Sequence, residues 1–197
     1  MKRSLGARTL AYTAPVWVIG TYDEAGRANV MTASWAGICC SKPPCVNVSL
    51  RRATYTYGCL VARRAFTVSI PSEEQVREAD YFGIASGREV DKLAATGLTA
   101  VRSELVDAPY VGEFPLVLEC QLLHTLEIGL HTLFVGEVKD VKADEAVLDA
   151  RGLPDGERVR PFVFLPEVRH YHGLGARLGK AFDIGRGRGR GDGPTGA

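Results

Sequence analysis

Apolar and polar positions alternate with a period of two along much of the chain, the pattern of strands with one buried face. Val16-Trp17-Val18-Ile19-Gly20-Thr21-Tyr22 is β-branched and aromatic and stops at a turn sequence, Asp23-Glu24-Ala25-Gly26. An extended pattern resumes over Asn29–Ala36, so these two segments predict a hairpin. Pro43-Pro44 then breaks the chain, and Cys45-Val46-Asn47-Val48-Ser49-Leu50 alternates strictly. Phe66–Ile70 is a further alternating strand. Leu116–Glu127, His131–Ala143 and Pro161–Tyr171 predict three long extended segments with turn residues between them.

Helical spacing is confined to three places. Ala53–Arg64 carries Tyr57, Leu60 and Val61 at helical intervals. Ser72 and Gln75 form the two ends of a capping box, which predicts a helix running to about Phe82 or Ala85. A shorter helix is predicted over Val90–Thr96, stopped by Gly97. Strand follows strand with few helices between, so the regular alternation of a doubly wound parallel sheet is missing. The reading is a mainly β fold with helices, an antiparallel barrel whose ends the helices cover.

At 197 residues, 46% hydrophobic and 24% charged, the chain has the make-up of one globular domain and not of a disordered protein. Lys and Arg number 24 against 23 Asp and Glu. Setting aside Arg186, Arg188, Arg190 and Asp192 leaves 21 basic and 22 acidic residues, so no general nucleic-acid footprint is present. Residues 186–197, rich in Gly and Arg, cannot bury apolar surface and are predicted to be a disordered tail after a domain over 1–185. No apolar run reaches the roughly 20 residues that span a bilayer, and Ala14–Gly20 is short and late for a signal segment, so no membrane association is expected. Five cysteines (Cys39, Cys40, Cys45, Cys59, Cys120) include no Cys-x-x-Cys, and they are read as reduced small fillers near the core of a cytoplasmic protein.

The most informative segment for chemistry is Ser49-Leu50-Arg51-Arg52-Ala53-Thr54-Tyr55-Thr56, which leaves a strand and opens a helix. The first N–H groups of a helix lack internal partners and carry the positive end of its dipole. Two arginines and two threonine hydroxyls at that junction supply what a phosphate needs. An ordinary cap by Thr54 or Thr56 beside solvated arginines explains the same residues. Asn29-Val30-Met31-Thr32-Ala33-Ser34-Trp35-Ala36-Gly37 sets small and polar residues around one large aromatic, which suits either a core tryptophan or a flat ligand lying on strand backbone. His170-Tyr171-His172 has the spacing of a strand metal pair, but no carboxylate or thiol motif joins it, so no metal is expected. Gly173-Leu174-Gly175-Ala176-Arg177-Leu178-Gly179 places its third glycine one position too far along for a dinucleotide fingerprint.

Taken together these motifs resemble the flavin reductase-like, FMN-binding split-barrel family, and among its members the electron carriers. The likeness rests on NVMTASWAGICCSKPPCVNVSLRRATYTYG, SGREVDKLAATGLT, EIGLHTLFVGEV and VRPFVFLPEVRHYHGLG, and runs from about Leu5 to Gly185. It implies an antiparallel split β-barrel, a homodimer, and one non-covalent FMN per subunit mediating electron transfer. By family position, Thr32, Ala33, Ser34 and Trp35 lie along the flavin ring, and Cys40 and Ser41 fall where contacts to its edge arise. Ser49, Leu50, Arg51, Thr54, Tyr55 and Thr56 match the ribityl and phosphate segment. Lys92 approaches the cofactor, and Phe164 closes on it. His131 is the one catalytic candidate; it or Lys92 is expected to favour the reduced ring.

Two departures bear on the electron donor. Lys42 stands where the reductases of the family carry Asp before Pro-Pro, and Leu130 where they carry Asp before the histidine. That Asp-His element accompanies NAD(P)H use, so a carrier passing electrons between protein or small-molecule partners is the first reading. An NAD(P)H:flavin oxidoreductase supplying reduced FMN to a partner enzyme is the alternative.

Overall fold

The computed structural model describes residues 1–186. Its strands are β1 (Ala14–Pro15), β2 (Trp17–Tyr22), β3 (Ala28–Ala33), β4 (Ala36–Ser41), β5 (Pro44–Arg51), β6 (Ala65–Ile70), β7 (Ala100–Arg102), β8 (Pro109–Val111), β9 (Leu116–Ile128), β10 (His131–Ala143), β11 (Phe162–Leu165) and β12 (His170–Gly173). The helices are α1 (Tyr55–Arg63), α2 (Val76–Ile84), α3 (Lys92–Thr96) and α4 (Gly156–Val159).

Seven strands form one antiparallel sheet in the order β3-β2-β6-β9-β10-β5-β4. β3 and β4 are therefore its two edges, yet only Ser34 and Trp35 separate them in sequence. Laid flat, seven strands would put those edges nearly 30 Å apart at about 4.8 Å per strand. From Ala33 to Ala36 the chain can reach only about 11 Å. The sheet has to curl until its edges approach, and β3 does not pair with β4, so the barrel stays split along that seam. The crossing is fixed to β5, next to the far edge, by the Ser49 N–H, which donates to the Trp35 carbonyl at 2.8 Å.

Alternation explains which residues fill the barrel. Val46, Val48 and Leu50 of β5 point inward, to pack with Ile19, Phe66, Val68, Cys120, Leu122 and Phe134. Asn47, Ser49 and Arg51 take the other face. Gly136 matters here, because a side chain on it would collide with the Phe66 ring. A second core lies outside the barrel, where Ala79 and Phe82 of α2 and Leu93 of α3 cover Val18 and Val30.

The predicted capping box is present. The Ser72 hydroxyl accepts from the Glu74 N–H, the Gln75 side chain accepts from the Ser72 N–H, and a single 3-10 turn over Glu73–Gln75 leads into α2. Gly97 ends α3 in the left-handed region. Two sequence expectations are corrected. The strand expected over Asn29–Ala36 ends at Ala33, because the chain there crosses the seam and Ala36 begins β4 on the opposite edge. The segment expected as one strand over Pro161–Tyr171 is a hairpin, β11 and β12, turned by Pro166–Arg169. Glu167 and Arg169 adopt positive φ in that turn, so no glycine signals it. The tail expected from residue 186 lies outside the described residues, apart from Arg186, whose N–H closes a turn on the Asp183 carbonyl.

Candidate functional site

A groove of about 450 Å³ opens along the seam. One wall is the end of β3 and its crossing, Met31 to Trp35. The floor is Ser49, Leu50 and Arg51 at the end of β5, with Thr54 before α1. His131, the first residue of β10, pairs directly opposite Arg51. Asp80, Gly83 and Ile84, one face of α2 at helical spacing, form the other wall. Phe164, Arg169 and Tyr171 of the β11–β12 hairpin close the end.

The chemistry of the groove is divided. At its apolar part the rings of Trp35 and His131 lie in planes 2° apart with centroids separated by 6.3 Å. Trp35 keeps 41% of its surface exposed, so a face of the indole is open. Phe164 leans on Tyr171 at 5.6 Å, and the Tyr171 hydroxyl donates to Asp80 at 2.8 Å. Burial pushes the Tyr171 phenol well up, with the Asp80 carboxylate adding to it.

The polar end is the β5–α1 junction. The Thr54 hydroxyl donates to the Arg51 carbonyl at 2.9 Å, so it does not cap α1, and the first turn of that helix holds no acidic residue. Arg52 points out and pairs with Glu127. Arg51 makes no ion pair among the described residues, and it stands beside the positive end of the α1 dipole. The ordinary capping reading of this segment therefore fails for Thr54. Thr56 is buried and accepts from the Asn29 side chain at 2.9 Å.

Of the residues named from sequence, Thr32, Ala33, Ser34, Trp35, Ser49, Leu50, Arg51, Thr54, His131 and Phe164 line the one groove. Leu50 points its side chain into the core, leaving its backbone for the groove. Five lie elsewhere. Cys40 and Ser41 sit exposed at the far end of β4, beside the turn into β5. Thr56 is internal. The Tyr55 hydroxyl donates to Asp23 at 2.9 Å and faces a neighbouring polar cleft of about 140 Å³. Burial would raise the Asp23 pKa, but bonds from the Arg27 N–H, the Tyr55 hydroxyl and the Arg27 guanidinium together lower it.

Lys92 lines that same cleft, and its ammonium donates to the Phe82 and Ala85 carbonyls at 3.0 and 3.1 Å. It thus holds the last carbonyls of α2, a position where a helix dipole favours a cation. Burial draws its pKa down to about 8.

Sequence reasoning missed Asp80, Gly83, Ile84, Arg169 and Tyr171 as groove residues, and Met31 was read only as part of the Asn29–Gly37 segment. Only the spacing of 80, 83 and 84 on a predicted helix could have marked three of them as neighbours. The cysteine expectation is corrected in part: Cys45, Cys59 and Cys120 are buried fillers, but Cys39 and Cys40 are exposed on an edge strand.

Residues 9–172 match the flavin reductase like domain. The chain belongs to that family. Among solved structures it is similar to the flavoredoxin of Desulfovibrio vulgaris (Miyazaki F), at 56% identity and a TM-score of 0.91, covering 94% of this chain and 100% of that one. A flavoredoxin from Methanosarcina acetivorans shares 28% identity with a TM-score of 0.88, over 94% of this chain and 98% of that one. An FMN-binding protein from Thermus thermophilus shares 26% identity with a TM-score of 0.76, over 91% and 97%. The open antiparallel sheet and its few helices are those of a flavin reductase-like split barrel. No described helix is long and apolar enough to cross a membrane.

Proposed function

We propose that the seam groove holds FMN without a covalent bond and that this protein transfers electrons through it. One observation carries the reading. The groove has a planar aromatic pair, Trp35 and His131, at one part, and an uncapped helix start beside unpaired Arg51 at the other. A ligand with a flat ring and an anionic end satisfies both, and the volume suits a ligand of nucleotide size. The flavin reductase-like family and the similarity to two flavoredoxins support the same choice.

The FMN, when bound, supplies the redox chemistry. This chain's residues orient it. Thr32 to Trp35 present backbone to the ring, and the Thr32 side chain is turned away by its bond to the Ala79 carbonyl. Arg51, Ser49 and the first N–H groups of α1 receive the phosphate. Phe164 shields the groove from water. His131 is the candidate for favouring the reduced ring, since Lys92 is committed to the end of α2.

Leu130, where the reductases carry Asp, occupies the tip of the β9–β10 hairpin and is 66% exposed. An electron carrier therefore stands ahead of an NAD(P)H:flavin oxidoreductase. Leu126, Ile128 and Leu130 leave the same hairpin end bare of apolar cover, which supports a homodimer formed there. Anaerobic titration of the FMN-loaded protein separates the two activities. Full bleaching by dithionite with slow bleaching by NADH fits the carrier, and NADH turnover with excess FMN fits the reductase.

A further inference from the structure

Cys40 on β4 and Cys45 on β5 are directly opposed across the antiparallel ladder. Directly opposed Cα atoms are about 4.5 or 5.5 Å apart, depending on the type of pair. Both values lie inside the roughly 4.4–6.8 Å that a disulfide spans. Opposed side chains also leave the sheet on the same face. The two differ in access. β4 is an edge strand and Cys40 is exposed, whereas Cys45 is 4% exposed. All five cysteines are free thiols here.

The remaining thiols are poorer partners for Cys45. Cys120 lies on β9, with β10 between it and β5, which puts it about 9.5 Å away and out of bridging range. Cys59 is on α1. Cys39 falls in the register shift between Ile38 and Cys40 and has no residue opposite.

From this geometry we infer that Cys40 and Cys45 form a reversible disulfide, a two-electron thiol site that takes low-molecular-weight disulfides as oxidant and is separate from the seam groove. The order of events follows from access. The Cys40 thiolate attacks one sulfur of the small disulfide, forming a mixed disulfide and expelling one thiolate. The Cys45 thiol then gives its proton to that thiolate and attacks the Cys40 sulfur, and the second small thiol leaves. Two protein thiols are oxidised and one small disulfide is reduced to two thiols. Cys45 is not the first nucleophile, because burial raises its pKa, with the neighbouring Cys40 and Cys39 thiols adding to the effect. Closure links the hairpin whose second strand carries Ser49 and Arg51 four and six residues further on.

The test uses the full chain, folded, treated with oxidised glutathione, quenched with N-ethylmaleimide and weighed intact. The expected product has lost the mass of two hydrogens, takes up two fewer maleimides than the reduced chain, and returns to the starting mass with dithiothreitol. Cys39→Ser should still form it, and Cys40→Ser and Cys45→Ser should not. Fragmentation of the wild-type product locates the bridge without relying on a variant. Stable glutathione adducts with no loss of two hydrogens would overturn the inference. So would a bridge mapped between Cys39 and Cys40.

Discussion

The indole of Trp35 and the imidazole of His131 lie parallel, 2° apart, although 96 positions separate them. Two backbone relationships hold them there. The Ser49 N–H fixes the Trp35 carbonyl to β5, and the β5–β10 register sets His131 opposite Arg51. Trp35→Leu keeps apolar bulk but removes the flat face. An aromatic pair contributes about 0.5–1.5 kcal/mol beyond its area, so FMN affinity should fall by roughly 2- to 12-fold. Fluorescence titration of FMN into the variant measures it.

Arg51→Ala removes the unpaired guanidinium at the start of α1. A charge-assisted bond to phosphate is worth about 1.5–3 kcal/mol, which is roughly 12- to 160-fold in affinity. Arg52→Ala is the control, since Arg52 pairs with Glu127 at the surface and should change binding little. Calorimetric titration of both variants compares them.

Lys92→Met should act on stability, because the lysine bonds two carbonyls at the end of α2. A loss of about 1–3 kcal/mol in denaturant unfolding is expected. The pH dependence has a definite sign. Burial lowers the folded pKa from 10.5 to about 8, so between those values the unfolded chain binds more protons than the folded one. The wild type therefore gains stability relative to Lys92→Met as pH rises from 8 towards 10. Melting temperatures of both proteins across that range give the comparison.

Glu119 is wholly buried on β9, with no hydrogen bond to either carboxylate oxygen and the Lys142 ammonium 3.5 Å away. Removing the cation leaves a buried charge without a partner. Lys142→Met should cost about 3 kcal/mol, and Glu119→Gln in the same chain should restore much of it. Urea unfolding of the single and double variants provides the cycle.

Local signals made much of this legible. The Ser72–Gln75 box, the Gly97 stop and the alternation of β5 each depend on residues within a few positions, and each appears as read. The groove was legible where it runs along one stretch of chain, from Thr32 to Trp35 and from Ser49 to Thr54. The wall from α2 and the Arg169 and Tyr171 end were not, because only tertiary packing brings them to β3. Lys92 shows the converse limit. Its motif was visible, but the helix end that its ammonium holds was not, since Phe82 and Ala85 offer backbone rather than side chain.

Under the proposed function the anionic end of a flavin is anchored where β5 passes into α1. Parallel titration of cofactor-free protein with FMN and with riboflavin, which lacks the phosphate, tests it most directly. FMN is expected to bind at least about 10-fold more tightly, with Arg51→Ala removing most of the difference. Equal affinity for the two flavins, or no binding of either, would contradict it.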